Sequence, residues 1–82
     1  MELYHWYSGT ELPTEECRHD NYLIIFNING TTSKCIGRFF YSHEEHGWGP
    51  EPFWRGVFPR IVWISKENVI AYMPIEFPKE VE

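Results

Sequence analysis

Positive charge is scarce in this chain. Seven Lys and Arg stand against twelve Asp and Glu, giving a formal net charge of −5 over 82 residues. An acidic excess repels phosphate, which disfavours adhesion to duplex nucleic acid or to an anionic membrane and argues against a DNA-groove reader. The acids are scattered from Glu2 to Glu82, and the tightest pairs are only Glu15-Glu16 and Glu44-Glu45, so no dense phosphate-mimicking stripe stands out. Cysteine is scarce as well. Cys17 and Cys35 are the only two, no Cys-x-x-Cys occurs, and the opening MELYHWYSG has neither a basic nor an apolar run of the kind a secretion signal needs. Two reduced thiols without a disulfide, in a bacterial-type cytoplasm, are therefore the expectation. No apolar segment approaches the roughly 20 residues that a membrane-spanning helix requires. No cofactor motif is present, and no cofactor is expected.

What the chain has in abundance is aromatic surface. Trp6, Trp48, Trp54 and Trp63, with five Tyr and six Phe, make up 18% of it. At this length a single domain over residues 1–82 with a thin core is expected, and each ring can bury roughly 150–250 Å². Tyr22 to Phe26 is a short aromatic and β-branched run, and Asn29-Gly30 can take positive φ at both centres, so a tight hairpin returning as Cys35 to Tyr41 is predicted. Arg60 to Ile64 and Val69 to Met73 are similar runs around Ser65-Lys66-Glu67-Asn68, which reads as the turn of a second hairpin. The predicted class is thus α+β and β-dominated, a small antiparallel sheet of about four strands in two hairpins sharing one sheet. At most one short helix is expected, near Thr14, where acids follow a candidate cap. Ile24, Phe26, Phe40, Trp63 and Tyr72 are the predicted core. Pro74 lacks a donor, so the last strand is expected to stop there or to lie at an edge, with residues 75–82 an extended tail.

Residues 42–59, SHEEHGWGPEPFWRGVFP, hold three Gly and three Pro with no sustained period and read as a long loop. Its rings have two readings: they fold back to close the core, or they form an anchor patch for a partner. In the second reading Trp48, Phe53 and Trp54 form an aromatic centre, and Glu44, Glu45 and Glu51 lie on its polar rim.

The ends of the chain carry a resemblance. Val69-Ile70-Ala71-Tyr72-Met73-Pro74-Ile75-Glu76-Phe77-Pro78 is similar to the closing Val-x-x-Trp-Met-Pro-Leu-Pro-x-Pro of small phage and prophage proteins grouped as domain of unknown function 551. That family also opens with a Trp followed shortly by Leu-Pro, which Trp6 and Leu12-Pro13 resemble. The resemblance implies provenance, a small accessory protein of a phage or mobile element, and carries over no catalytic residue.

Four kinds of chemistry compete for the remaining side chains. Cys17, His19, Cys35 and His43, with His46 nearby, are the candidate zinc ligands, but their spacings are not those of a finger or ribbon. Catalysis by a Cys17 or Cys35 thiol needs an adjacent base, and the sequence neighbours supply no such arrangement. Single-stranded nucleic acid on a platform of Phe39, Tyr41, Trp48 and Trp54 has only Arg38, Arg55, Arg60 and Lys66 to draw on for charge in the central region. The leading expectation is a non-enzymatic module, with no bound metal, that binds a host protein with a basic surface, such as one that handles nucleic acid. An inhibitor of a host defence nuclease, anti-CRISPR-like, is its concrete form.

Overall fold

The computed structural model describes residues 1–14, 19–40 and 52–76. Its strands are β1 (Tyr7–Ser8), β2 (Asn21–Ile28), β3 (Thr31–Phe40), β4 (Phe53–Phe58), β5 (Val62–Ser65) and β6 (Val69–Ile75). They form one antiparallel sheet in the order β1-β6-β2-β3-β4-β5. A β-dominated antiparallel sheet is what the sequence predicts, but it has six strands where about four were expected.

The β2–β3 hairpin forms as its turn residues dictate. Ile28 pairs with Thr31, leaving a two-residue loop in which Asn29 and Gly30 take φ of 53° and 81°. Positive φ at both centres gives the turn the twist of its strands. The Asn27 side chain clamps it, accepting from the Gly30 N–H at 3.2 Å and donating to Thr32 Oγ1 at 3.2 Å.

The second hairpin does not form. β5 pairs with β4 and β6 pairs with β2, and a three-residue 3-10 turn, Lys66–Asn68, joins them. In a flat sheet β5 and β6 would lie four strand spacings apart, about 19 Å. Three residues of 3-10 backbone advance only about 6 Å. The sheet must therefore curl until β5 approaches β6, into a small, partly open barrel. Ring contacts across the inside show the curl directly: Trp54 of β4 and Tyr72 of β6 have centroids 4.8 Å apart although β2 and β3 lie between their strands.

Strand alternation then sorts the side chains. Tyr22, Ile24, Phe26, Cys35, Phe39, Trp54, Ile64, Val69 and Tyr72 point inward and make the core. Trp54 sits at its centre, 5.2 Å from the Tyr22 ring and 4.7 Å from that of Phe39. The amino-terminal segment supports one side: Gly9 donates to the Ile70 carbonyl at 2.8 Å, and Tyr72 donates its hydroxyl to the Glu11 carbonyl.

Several expectations are corrected. Ile24, Phe26 and Tyr72 are buried as predicted, but Trp63 is 40% exposed, because Val62 and Ile64 take the inward positions, and Phe40 is half-buried, because Phe39 beside it takes the inward position on β3. The 42–59 loop is shorter than predicted, since Phe53–Phe58 is β4. Neither does Pro74 end its strand. β6 runs on to Ile75 and is flanked by β1 and β2. The Pro74 carbonyl accepts from the Tyr4 N–H at 2.8 Å, so the nitrogen without a donor faces that side and not the β2 ladder. Thr14 is outside any helix, and the rest of the predicted helix and the tail beyond Glu76 lie outside the described residues.

Candidate interaction face

The outward face of the curled sheet is unusual in composition. A sheet with one wet face normally alternates apolar-in with polar-out. Here the register builds a continuous apolar row across four strands, Met73–Leu23–Ile36–Phe58. On one side of it runs Ala71–Ile25–Lys34, and on the other Arg38–Arg55–Trp63. Phe58 is 65% exposed and, beside it in the β4–β5 turn, Ile61 is 61% exposed.

The charged residues of the six strands share one sign. No Asp or Glu occurs in any of the six strands, and the only charged strand residues are Lys34, Arg38 and Arg55. All three project outward, since each pairs with an outward position across the ladder. The described acids, Glu2, Glu11, Asp20, Glu67 and Glu76, lie in exposed positions outside the strands.

Arg38 and Arg55 stand directly opposite one another. Such cross-strand neighbours have Cβ atoms about 4.5–5.5 Å apart, and like charges there repel. Arg55 is held by Trp63, with its guanidinium carbon 5.5 Å from the indole centroid. Its Nε is buried with no hydrogen-bond partner. An orphaned buried donor costs about 1–3 kcal/mol, and more when charged.

The residues named from sequence are placed otherwise. Phe53 and Trp54, read there as partner contacts, are 1% and 0% exposed, so both rings are buried, Trp54 in the core and Phe53 on the other side of its strand. Phe53 stacks on Phe40 at 5.2 Å and tilts against Trp63 at 5.3 Å. Glu44, Glu45, Trp48 and Glu51 lie outside the described residues. The stacking platform loses two members for the same reason, because Phe39 and Trp54 are both core residues; Tyr41 lies outside the described residues too.

Of the zinc candidates, Cys17 and His43 are also outside them. His19 Nε2 lies 2.9 Å from the Met1 carbonyl oxygen, and its ring meets Tyr22 edge-on, whereas Cys35 points into the core. Among the described residues no three His, Cys, Asp or Glu side chains come together as a metal site.

Cys35 adjoins an open groove of about 530 Å³ lined by Phe26, Ile28, Ser33, Arg60 and Ile61 among others. Its chemistry is not that of a nucleophile. Burial pushes the Cys35 thiol above its ordinary value of 9.0, whereas an activated cysteine needs that value lowered. The folded thiol therefore keeps its proton where the unfolded one has lost it. Stability is unaffected well below the ordinary value of 9.0 and falls as the pH rises past it. Urea midpoints measured from about pH 8 to 10 should decline more steeply for the wild type than for Cys35→Ala. Equal slopes would show that Cys35 ionises as readily folded as unfolded.

Among the described residues no helix is long and apolar enough to cross a membrane. No protein-family model, curated protein or solved structure matches the chain.

Proposed function

We propose that this chain is a non-enzymatic accessory protein of a phage or mobile element that works by docking a host protein on the outward face of its sheet. The phage origin rests on the resemblance of the Val69 to Pro78 segment, and the docking reading rests on the face itself. Its supporting observation is the apolar row Met73–Leu23–Ile36–Phe58, flanked by Lys34 on one side and by Arg38, Arg55 and Trp63 on the other. An apolar centre with a polar rim, enriched in Met, Arg and aromatic residues, is the anatomy of a protein–protein contact. At long range the net charge of −5 draws the chain towards a basic surface, which supports a nucleic-acid-handling host protein, including a defence nuclease, as the partner class. Contact at the face is a separate matter. There the cations call for an acidic patch on that protein.

The test is site-specific photo-crosslinking in host lysate, with a benzophenone amino acid placed at Ile36, on the face, or at Glu67, off it. The expected result is one host protein joined from position 36 and not from position 67, and lost when Leu23→Glu is added to a chain that stays folded by circular dichroism. Equal joining from both positions, or a yield indifferent to Leu23→Glu, would remove the outward face as the docking surface.

A further inference from the structure

We infer that Arg38 and Arg55 form a clamp for carboxylates, and that what docks on the outward face is a protein segment alternating acidic with apolar side chains. This rests on the docking reading above and names the chemistry of its contact. The two arginines are direct cross-strand neighbours in a sheet whose six strands carry no acid. Among the described residues neither makes an ion pair, and the buried Arg55 Nε lacks an acceptor. Like charges in this position destabilise the free sheet. An anion between them removes the repulsion.

The identity of the anion follows from the surroundings. Two guanidinium forks side by side match planar carboxylates, each able to accept two parallel N–H bonds. Phosphate fits a fork equally well, so the neighbouring residues decide. Single-stranded nucleic acid needs a basic track and a series of stacking rings. The row beside the arginines is instead mostly aliphatic, Met73–Leu23–Ile36 before it reaches Phe58. An acidic segment with apolar side chains between its carboxylates satisfies both rows.

The probe is an end-capped pentapeptide of alternating glutamate and leucine, titrated against the full chain at low salt and followed by NMR. Oligothymidylate of 20 nucleotides serves as the competing class. Expected are shifts of the Arg38, Arg55 and Trp63 side-chain signals, and binding at least tenfold weaker in Arg38→Gln and in Arg55→Gln. Arg60→Gln, in an exposed turn, should bind as the wild type does. In the absence of peptide, Arg38→Gln should also raise the urea midpoint, because it relieves the like-charge pair. A structural role for Arg38 would move that midpoint down. Failure of the peptide to bind, tighter binding of oligothymidylate, equal loss in Arg60→Gln, or a lowered midpoint in Arg38→Gln would each overturn the clamp. Crosslinking to the host protein from position 36 that persists undiminished in Arg38→Gln would overturn it too, while leaving the docking face in place.

Discussion

Replacing Trp54 with Ala should cost about 3–5 kcal/mol, the range for losing a large buried ring. A chain of this size has only about 4–12 kcal/mol in total, at roughly 0.05–0.15 kcal/mol per residue. If the total lies near the lower end of that range, the variant is partly or wholly unfolded at 25 °C; at the upper end it stays folded with a much lowered urea midpoint. Trp54 is 0% exposed and touches the rings of Tyr22, Phe39 and Tyr72, which come from three other strands. Removing it takes out a side chain that joins the two halves of the curl. Its indole Nε1 is buried without a hydrogen-bond partner, so Trp54→Phe gives up volume but also relieves an orphaned donor. That variant should lose less than half as much. Urea unfolding followed by circular dichroism measures both. A Trp54→Ala chain with the wild-type midpoint and a weaker hold on its partner would reinstate the ring as a contact residue.

Much of the sheet was legible in the sequence because its signals are local. Asn29-Gly30 between two β-favouring runs leaves few alternatives to a hairpin, and the short apolar runs at 60–64 and 69–73 mark the strands found at Val62–Ser65 and Val69–Ile75. What escaped is what depends on distant parts of the chain. β4 was hidden because Phe53 faces outward and Trp54 inward and yet both are buried, so no period of two shows in FWRGVF. A hairpin of β5 with β6 is the sequence expectation because Ser65 to Asn68 suits a hairpin turn as well as a 3-10 turn. Only the curl of the whole sheet decides between them. Trp63 was misplaced for a related reason. Ile61 and Trp63 on one side, and Val62 and Ile64 on the other, are equally apolar, and nothing local says which pair faces in.

The interaction face was half legible. The absence of acids from every β-favouring run can be read directly from the sequence, and it separates the sheet from the acidic turns and termini. The apposition of Arg38 and Arg55 cannot be read that way, because it depends on the β3–β4 register across a long connection. Net charge alone pointed to a basic partner. The distribution of charge over the fold adds a local demand of the opposite sign.

Gly37→Ala should be nearly as damaging as Trp54→Ala, at about 3 kcal/mol, although it adds a single methyl group. Gly37 faces the core directly opposite Gly56, next to an irregularity in the β3–β4 register between Ile36 and Gly37. A Cβ there would run into the Arg55 carbonyl oxygen, and would lie 2.9 Å from both the Arg55 carbonyl carbon and the Gly56 Cα. All of these are backbone atoms. No rotamer change can relieve the overlap, so the strands must part, and the separation would reach the Phe39–Trp54 contact two residues further along each strand. Gly30 offers the contrast. A Cβ at Gly30 meets nothing within 4 Å, and the cost of Gly30→Ala comes only from holding φ near 81°. That left-handed strain is worth about 1–2 kcal/mol. Comparing the two alanine variants in urea separates close approach from backbone conformation, with Gly37→Ala expected to lose at least twice as much as the lower end of that range. The reverse order would mean that β3 and β4 part easily at the register shift, and that the core tolerates their separation.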